Sequence, residues 1–243
     1  MQIHGLNKTT LLDYPEHVAC TVFCGHCNFR CPFCQNADLV LAPTSQPCIS
    51  EEDFFSFLSK RKGMLEGVCI TGGEPTLHKD LPDFIARIKE QGLLVKLDTN
   101  GYHPEILKKL MEENLIDYVA MDLKSSKEGY ALSAGLQNFD LKAIEDSVAL
   151  LMSGNLAYEF RTTVVKELHC MEDFASIAQW IKGCRAYYLQ SYTESGAILQ
   201  YALPEEARIL KASQLNPYTP EELKTIVAFL NENGVPTKLR GIT

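Results

Sequence analysis

The chain has 243 residues, 46% hydrophobic and 22% charged, with a formal charge of −8 from 23 basic and 31 acidic side chains. That is ordinary for a globular protein that buries a core without disulfide staples, and without a clustered Lys/Arg stripe there is no footing for a nucleic-acid partner. No apolar run reaches the roughly 18 residues of a membrane span, and Met1-Gln2-Ile3-His4-Gly5 does not read as a signal peptide, so no membrane association and a cytoplasmic location are expected.

The predicted elements alternate. A first strand over His17–Phe23 runs into a cysteine-rich stretch. Ser50 caps a helix over Glu51–Arg61 that carries Phe54, Phe55 and Leu58 on one face. The second strand, Gly67–Thr71, precedes a helix that Asp80 opens and Gly92 stops, with Leu81, Phe84, Ile85 and Ile88 at helical spacing. After the third strand, Leu93–Asp98, Pro104 opens a helix with Ile106, Leu107 and Leu110 apolar. The fourth strand, Asp117–Lys124, is followed by a stripe of Leu141, Ile144, Val148 and Leu151 that ends near Gly154. The fifth, Ala157–Val165, is followed by Phe174, Ile177 and Ile181 before Gly183. A sixth, Ala186–Gln190, leads into Ser191–Pro217, which has no clear period. That segment reads either as a contact for a partner or substrate or as cover for a short helix around Pro204–Leu210. The last helix starts at a capping box, Thr219-Pro220-Glu221-Glu222, and closes at Gly234.

Six strand–helix units imply a parallel sheet with right-handed crossovers. They are too few for a closed eight-unit barrel, so an open partial barrel or a doubly wound sheet fits. Both place the active site in the loops after the strands. The polar motifs do fall there: the cysteine stretch, Gly72-Gly73-Glu74-Pro75, Thr99-Asn100-Gly101 and Lys124-Ser125-Ser126 each follow a predicted strand.

Nine cysteines are present, and four fall within Cys24–Cys34. A secreted disulfide scaffold spreads its cysteines more evenly, so a tight cluster points to metal. Isolated residues such as Cys69 read as small core residues. Cys27-x3-Cys31-x2-Cys34 puts three thiolates on one short loop, a ligand set for an iron–sulfur cluster that leaves one iron open. Phe33 is placed to shield such a cluster or to pack on a bound ring. Two other readings stand beside this one. Cys24-x2-Cys27 with Cys31-x2-Cys34 would make a zinc site, although such pairs are normally separated more widely. With Cys24 as a fourth ligand, the run would make an electron-transfer cluster.

The segment Gly25-His26-Cys27-Asn28-Phe29-Arg30-Cys31-Pro32-Phe33-Cys34-Gln35-Asn36 resembles the signature of the radical S-adenosylmethionine (SAM) superfamily, in particular its glycyl-radical-enzyme activating branch. His26 stands where that branch usually has glycine, Gln35 where it usually has histidine, and Cys24 is additional. The resemblance extends to Gly72-Gly73-Glu74, similar to a motif that contacts the SAM amino group, and to Asp98-Thr99-Asn100-Gly101 and Asp122-Leu123-Lys124, similar to segments that flank SAM. It implies that Lys124 meets the SAM carboxylate, that Asp98 and Asp122 help hold a monovalent cation, and that Arg161 matches a strand arginine of the branch.

The expected fold is therefore α/β, an open partial (β/α)6 TIM-like barrel of parallel strands in a single domain over 1–243. The resemblance implies a [4Fe–4S] cluster on Cys27, Cys31 and Cys34, with Phe33, Gly72, Gly73, Glu74, Asp98, Thr99, Asn100, Asp122, Lys124 and Arg161 as cofactor-binding residues. The expected activity is reductive cleavage of SAM to a 5′-deoxyadenosyl radical, which takes a glycine Cα hydrogen from a glycyl radical enzyme such as anaerobic ribonucleotide reductase. A flavodoxin- or ferredoxin-type reductant supplies the electron, and no side chain is needed as acid or base. The alternatives are a radical SAM enzyme acting on a small molecule or peptide, and a non-catalytic zinc or electron-transfer protein.

Overall fold

The computed structural model describes residues 1–211 and 214–241. Among these residues eight strands follow chain order in the sheet, and the chain divides into two compact units.

The first unit comprises Met1–Asn28, Asp38–Ala120 and Gly154–Ala157. It holds β1 (Ile3–Thr10), β2 (Ala19–Cys24), α1 (Ala37–Leu41, whose first residue belongs to the second unit), α2 (Glu51–Lys60), β3 (Gly67–Gly72), α3 (Leu81–Lys89), β4 (Leu94–Thr99), α4 (Pro104–Glu112) and the start of β5 (Tyr118–Asp122). β1 pairs antiparallel with β2, and β2–β3 and β3–β4 pair in parallel, with Cys24 opposite Gly72 and Cys69 opposite Lys96. Cys20, Val22, Val68, Ile70, Val95 and Leu97 are fully buried and form the sheet's part of the core. Phe54 of α2 stacks on Phe84 of α3 at 5.4 Å between ring centres. Ser50 caps α2 as expected, its hydroxyl accepting from the Asp53 N–H at 3.0 Å. Asp80 does not cap α3; its carboxylate pairs at 2.6 Å with the amino group of Met1.

The second unit comprises Phe29–Ala37, Met121–Ser153 and Tyr158–Thr243. Its elements are α5 (Tyr130–Ala134), α6 (Leu141–Ser153), β6 (Ala157–Val164), α7 (Met171–Trp180), β7 (Tyr187–Ser191), α8 (Leu199–Ala202), α9 (Pro220–Glu232) and β8 (Thr237–Arg240). β6, β7 and β8 pair in parallel. The α9 capping box forms, with Glu222 N–H on the Thr219 hydroxyl at 3.2 Å and Thr219 N–H on the Glu222 carboxylate at 2.7 Å. Within the region read as aperiodic lie α8 and a single 3-10 turn at Glu205–Ala207; residues 212 and 213 of that region lie outside the described residues.

All six predicted strands are present, shifted by one or two residues at most ends. The two that went unread, β1 and β8, are the outermost in strand order. β1 has only its first and last residues buried, and β8 is four residues long with Lys238 and Arg240 in it. Polar, short edge strands discourage further pairing and, for the same reason, carry little hydrophobic signal.

Candidate active site

In the first unit the loop after β2 is set by backbone contact with the loop after β3. Gly73 N–H donates to the Cys24 carbonyl at 2.8 Å, and Glu74 N–H to the His26 carbonyl at 2.7 Å. A Cβ on Gly73 would lie 1.8 Å from the His26 oxygen, and one on Gly72, whose φ is +115°, 2.4 Å from the Cys24 oxygen. The paired glycines thus serve close approach of one protein backbone to another, where the sequence suggested approach to a ligand. His26 itself has φ +61°, the left-handed region that favours glycine. This accounts for the glycine usual at that position in the branch the sequence resembles. His78 Nε2 holds the adjoining Gly25 carbonyl at 3.0 Å.

Glu74 is the anchor of this unit. It is 1% exposed, and its carboxylate accepts from Thr76 N–H at 3.1 Å, the Thr76 hydroxyl at 2.6 Å, the Thr99 hydroxyl at 2.7 Å and Asn100 N–H at 2.7 Å. Burial pushes its titration upward, and these four donors oppose that shift. The carboxylate ties the loop after β3 to the end of β4 and the loop that follows it. Asn100 Nδ2 in turn donates to Asn28 Oδ1 at 2.8 Å and lies 3.9 Å from Cys27 Sγ. Asp98 faces the other side of β4, where it pairs with the buried Lys96 ammonium.

Cys24 has a protein partner for its thiol. It is fully buried at the end of β2, and its thiol donates to the Thr71 carbonyl at 3.1 Å. Burial raises its pKa far above the ordinary thiol value, with Glu74 adding to the effect and the Gly73 N–H opposing it. Cys27 and Cys34 are half-buried and Cys31 is buried.

In the second unit, Arg30 N–H donates to the Ala134 carbonyl at 2.8 Å as α5 closes on Gly135. Leu199 N–H donates to the Cys34 carbonyl at 2.8 Å, and Gln200 N–H to the Pro32 carbonyl at 3.1 Å. Part of the aperiodic segment therefore holds the second half of the cysteine loop. Asp122 accepts from Lys124 Nζ at 3.0 Å and Arg161 Nε at 2.9 Å. Burial would raise the Asp122 pKa, but Arg161 and Lys124 outweigh it and bring it down to about 2. Burial would lower that of Lys124, but Asp122 and the Cys31 sulfur outweigh it and raise it. The Lys124 ammonium lies 5.9 Å from the centre of the Phe33 ring. For Cys34, burial raises the thiol pKa, with Asp122 adding to the effect, and the Asn36 N–H, Lys124 and Arg30 offset only part of it.

Three structural features of this region escaped the sequence reading. Lys96 was masked by the apolar strand around it, Asn28 by the cysteines, and His169 by its distance in sequence from any motif. His169 is 3% exposed, and its Nε2 lies 2.8 Å from the Lys124 carbonyl.

The donor set fits a [4Fe–4S] cluster: three thiols at C-x3-C-x2-C spacing, with the neighbouring fourth thiol sequestered. Among the described residues, no group of three or more His, Cys, Asp or Glu side chains is arranged to hold a metal ion, so the fit rests on thiol chemistry and spacing. Nor is any helix among them long and apolar enough to cross a membrane.

The Radical SAM superfamily profile matches residues 21–168. The chain belongs to the radical SAM superfamily, whose members use a [4Fe–4S] cluster and SAM, and it is therefore an enzyme by family. A Methanocaldococcus jannaschii protein, provisionally named a glycyl-radical enzyme activating enzyme, is 33% identical over 207 residues, which is 80% of this chain and 81% of that protein. A GTP 3′,8-cyclase of Helicobacter pylori is 30% identical over 154 residues, 59% of this chain but only 45% of the cyclase. Among solved structures, a radical SAM methyltransferase from Sphaerobacter thermophilus superposes with a TM-score of 0.69 at 14% identity, covering 93% of this chain and 67% of its own. A domain of pyruvate-formate lyase-activating enzyme from Bacteroides vulgatus gives 0.55 at 17% identity, covering 72% and 99%. At these identities the structures speak for the fold, which is the open, mostly parallel α/β sheet of the partial TIM-barrel kind.

Proposed function

We propose that the protein is a glycyl-radical-enzyme activase, with its cluster on Cys27, Cys31 and Cys34. The observation that carries the reading is the engagement of the Cys24 thiol, which donates to the Thr71 carbonyl at 3.1 Å from a fully buried position. With that thiol outside the ligand set, three cysteines serve a four-iron cluster and one iron is free of protein ligands. The cluster with SAM, when bound, supplies one-electron reductive cleavage to methionine and a 5′-deoxyadenosyl radical, which removes a glycine Cα hydrogen from the partner.

The chain's own residues bind and orient. The main chain of Gly72, Gly73 and Glu74 offers polar groups to the SAM amino group, Lys124 and Arg161 are the cations for its carboxylate, and Phe33 offers an apolar ring beside the cluster. Thr99 and Asn100 hold the loop after β4 through Glu74 and Asn28. Asp98 and Asp122 each already have side-chain cations, Lys96 for the first and Lys124 with Arg161 for the second. The reading therefore includes no monovalent cation. The electron comes from a flavodoxin- or ferredoxin-type reductant.

The likeness over most of its length to the Methanocaldococcus jannaschii relative favours an activase over an enzyme of small molecules or peptides, since the cyclase likeness spans less than half of the cyclase. The test is anaerobic reconstitution with iron and sulfide, followed by reduction in the presence of SAM. Formation of 5′-deoxyadenosine, with a glycyl radical EPR doublet on a co-purifying partner, is expected. If no 5′-deoxyadenosine forms, the radical SAM chemistry is wrong; 5′-deoxyadenosine with no protein radical would move the substrate to a small molecule or peptide.

A further inference from the structure

A chain of three amides in the first unit ends on a donor with nothing to bind. Asn100 Oδ1 accepts from the Tyr102 main-chain N–H at 3.0 Å. A main-chain N–H can only donate, so this contact fixes which end of the Asn100 amide is oxygen. Asn100 Nδ2 must then be the donor to Asn28, at 2.8 Å, and the Asn28 atom facing it must be Oδ1. The other end of the Asn28 amide is therefore Nδ2. It is buried and, among the described residues, has no hydrogen-bond partner. A buried N–H2 left unpaired costs about 1–3 kcal/mol, and native proteins seldom leave one without a use.

Its position supplies the use. Asn28 follows Cys27 directly, and its Oδ1 takes both Asn100 Nδ2, which itself lies 3.9 Å from Cys27 Sγ, and the Cys27 thiol at 4.0 Å, so Nδ2 is the end of the amide that neither of them engages. Behind Asn100 the assembly is rigid, because its N–H is held by the fully buried Glu74 carboxylate at 2.7 Å. We propose that Asn28 tunes the iron–sulfur centre, its amide N–H2 donating a hydrogen bond to a sulfide of the cluster held beside it. Such a donor stabilises the more negative, reduced cluster and raises its reduction potential. Asn100 acts one step further out, by holding the Asn28 amide in the donating orientation. This inference rests on the assignment of the cluster to Cys27, Cys31 and Cys34.

The test uses the full chain, cluster-loaded and without SAM. An EPR-monitored redox titration should give Asn28→Leu a more negative midpoint potential than wild type at equal iron content. In deuterated buffer the reduced wild-type cluster should show a coupled exchangeable deuteron that Asn28→Leu lacks. Asn28→Asp, nearly the same shape but an acceptor instead of a donor, should move the potential further in the same direction, which guards against Asn28→Leu failing to load. An unchanged potential in a fully loaded variant, or an unchanged deuteron coupling, overturns the proposal. If wild type binds no cluster at all, the functional reading fails; if it binds cluster and cleaves SAM but the potential ignores position 28, only this inference does.

Discussion

The ammonium of Lys96 lies on the carboxylate of Asp98, two residues along the same face of β4, and the Cys69 sulfur sits 3.7 Å from the first and 3.6 Å from the second. Lys96 is 1% exposed. Removing one member of such a pair strands a buried charge. Lys96→Met should therefore cost about 3–5 kcal/mol, and Lys96→Met with Asp98→Asn should recover most of it. Because the counter-charge is a side chain, the wild-type thermal midpoint should be the same in potassium and choline chloride at equal ionic strength. Lys96→Met should be stabilised selectively by potassium. A potassium-specific rise in wild type would show that Asp98 takes a free cation.

The approach of Gly73 to His26 gives a second pair of outcomes. Gly73→Ala puts a methyl 1.8 Å from the His26 oxygen and must push the two loops apart, at a cost of about 1–3 kcal/mol or more. At His26 the sign reverses. Its side chain is exposed and its φ is +61°, so His26→Gly should hold or raise stability, by up to about 1 kcal/mol. His26→Val should lose about 1–2 kcal/mol. Urea midpoints of the three variants check this. A His26→Gly variant less stable than wild type would mean that the imidazole contributes something the backbone does not explain.

How far the sequence could be read follows from what each element buries. β2, β3, β4 and β5 are apolar because the sheet buries them, and each announces the loop that follows it, which is why the cysteine, Gly-Gly-Glu, Asp-Thr-Asn-Gly and Asp-Leu-Lys segments stood out in order. The pairings of these segments with other protein groups were not legible. Glu74 reads as part of a ligand-binding motif, and the four donors around its carboxylate, two of them from Thr99 and Asn100 at the end of β4, were not legible beside that reading. Lys96 breaks an apolar strand, and its partner two residues on, Asp98, was in view as a candidate on its own. The spacing i, i+2 on a strand was the available signal. His26 was noted as a departure from glycine, but only the backbone angle says why glycine is usual there.

Stability should depend on pH through His169. Burial lowers its pKa below the ordinary value of 6.5, although its contacts with the Lys124 and Val165 main chain resist the shift. Val165 N–H lies 3.1 Å from Nδ1 and the Lys124 carbonyl 2.8 Å from Nε2, so the neutral ring, protonated on Nε2, satisfies both. The unfolded chain takes up a proton at this site near pH 6.5 and the folded one only at lower pH. The contribution is complete above pH 6.5 and is lost progressively as pH falls from there towards the folded-state pKa. Urea unfolding between pH 8 and pH 5.5 should show this decline, and His169→Gln should flatten it in that window. An identical slope in the variant would place the pH dependence elsewhere.

The four cysteines of the stretch should separate by substitution, and this bears most directly on the function. A four-ligand cluster or a zinc site built on two C-x2-C pairs would need Cys24, whereas a three-ligand cluster has no place for it. The Cys24 thiol donates to the Thr71 carbonyl from a fully buried position, so Cys24→Ala removes packing and one weak donor. The expected cost is about 1–2 kcal/mol of stability, with iron and sulfide content, and SAM-dependent 5′-deoxyadenosine formation, left near wild type. Cys27→Ala, Cys31→Ala and Cys34→Ala should each abolish the cluster while the apo chain still folds. Iron and sulfide analysis on all four, with circular dichroism to confirm folding, decides the matter. If Cys24→Ala loses the metal along with the others, the fourth thiol is a ligand, and no iron is left open for SAM.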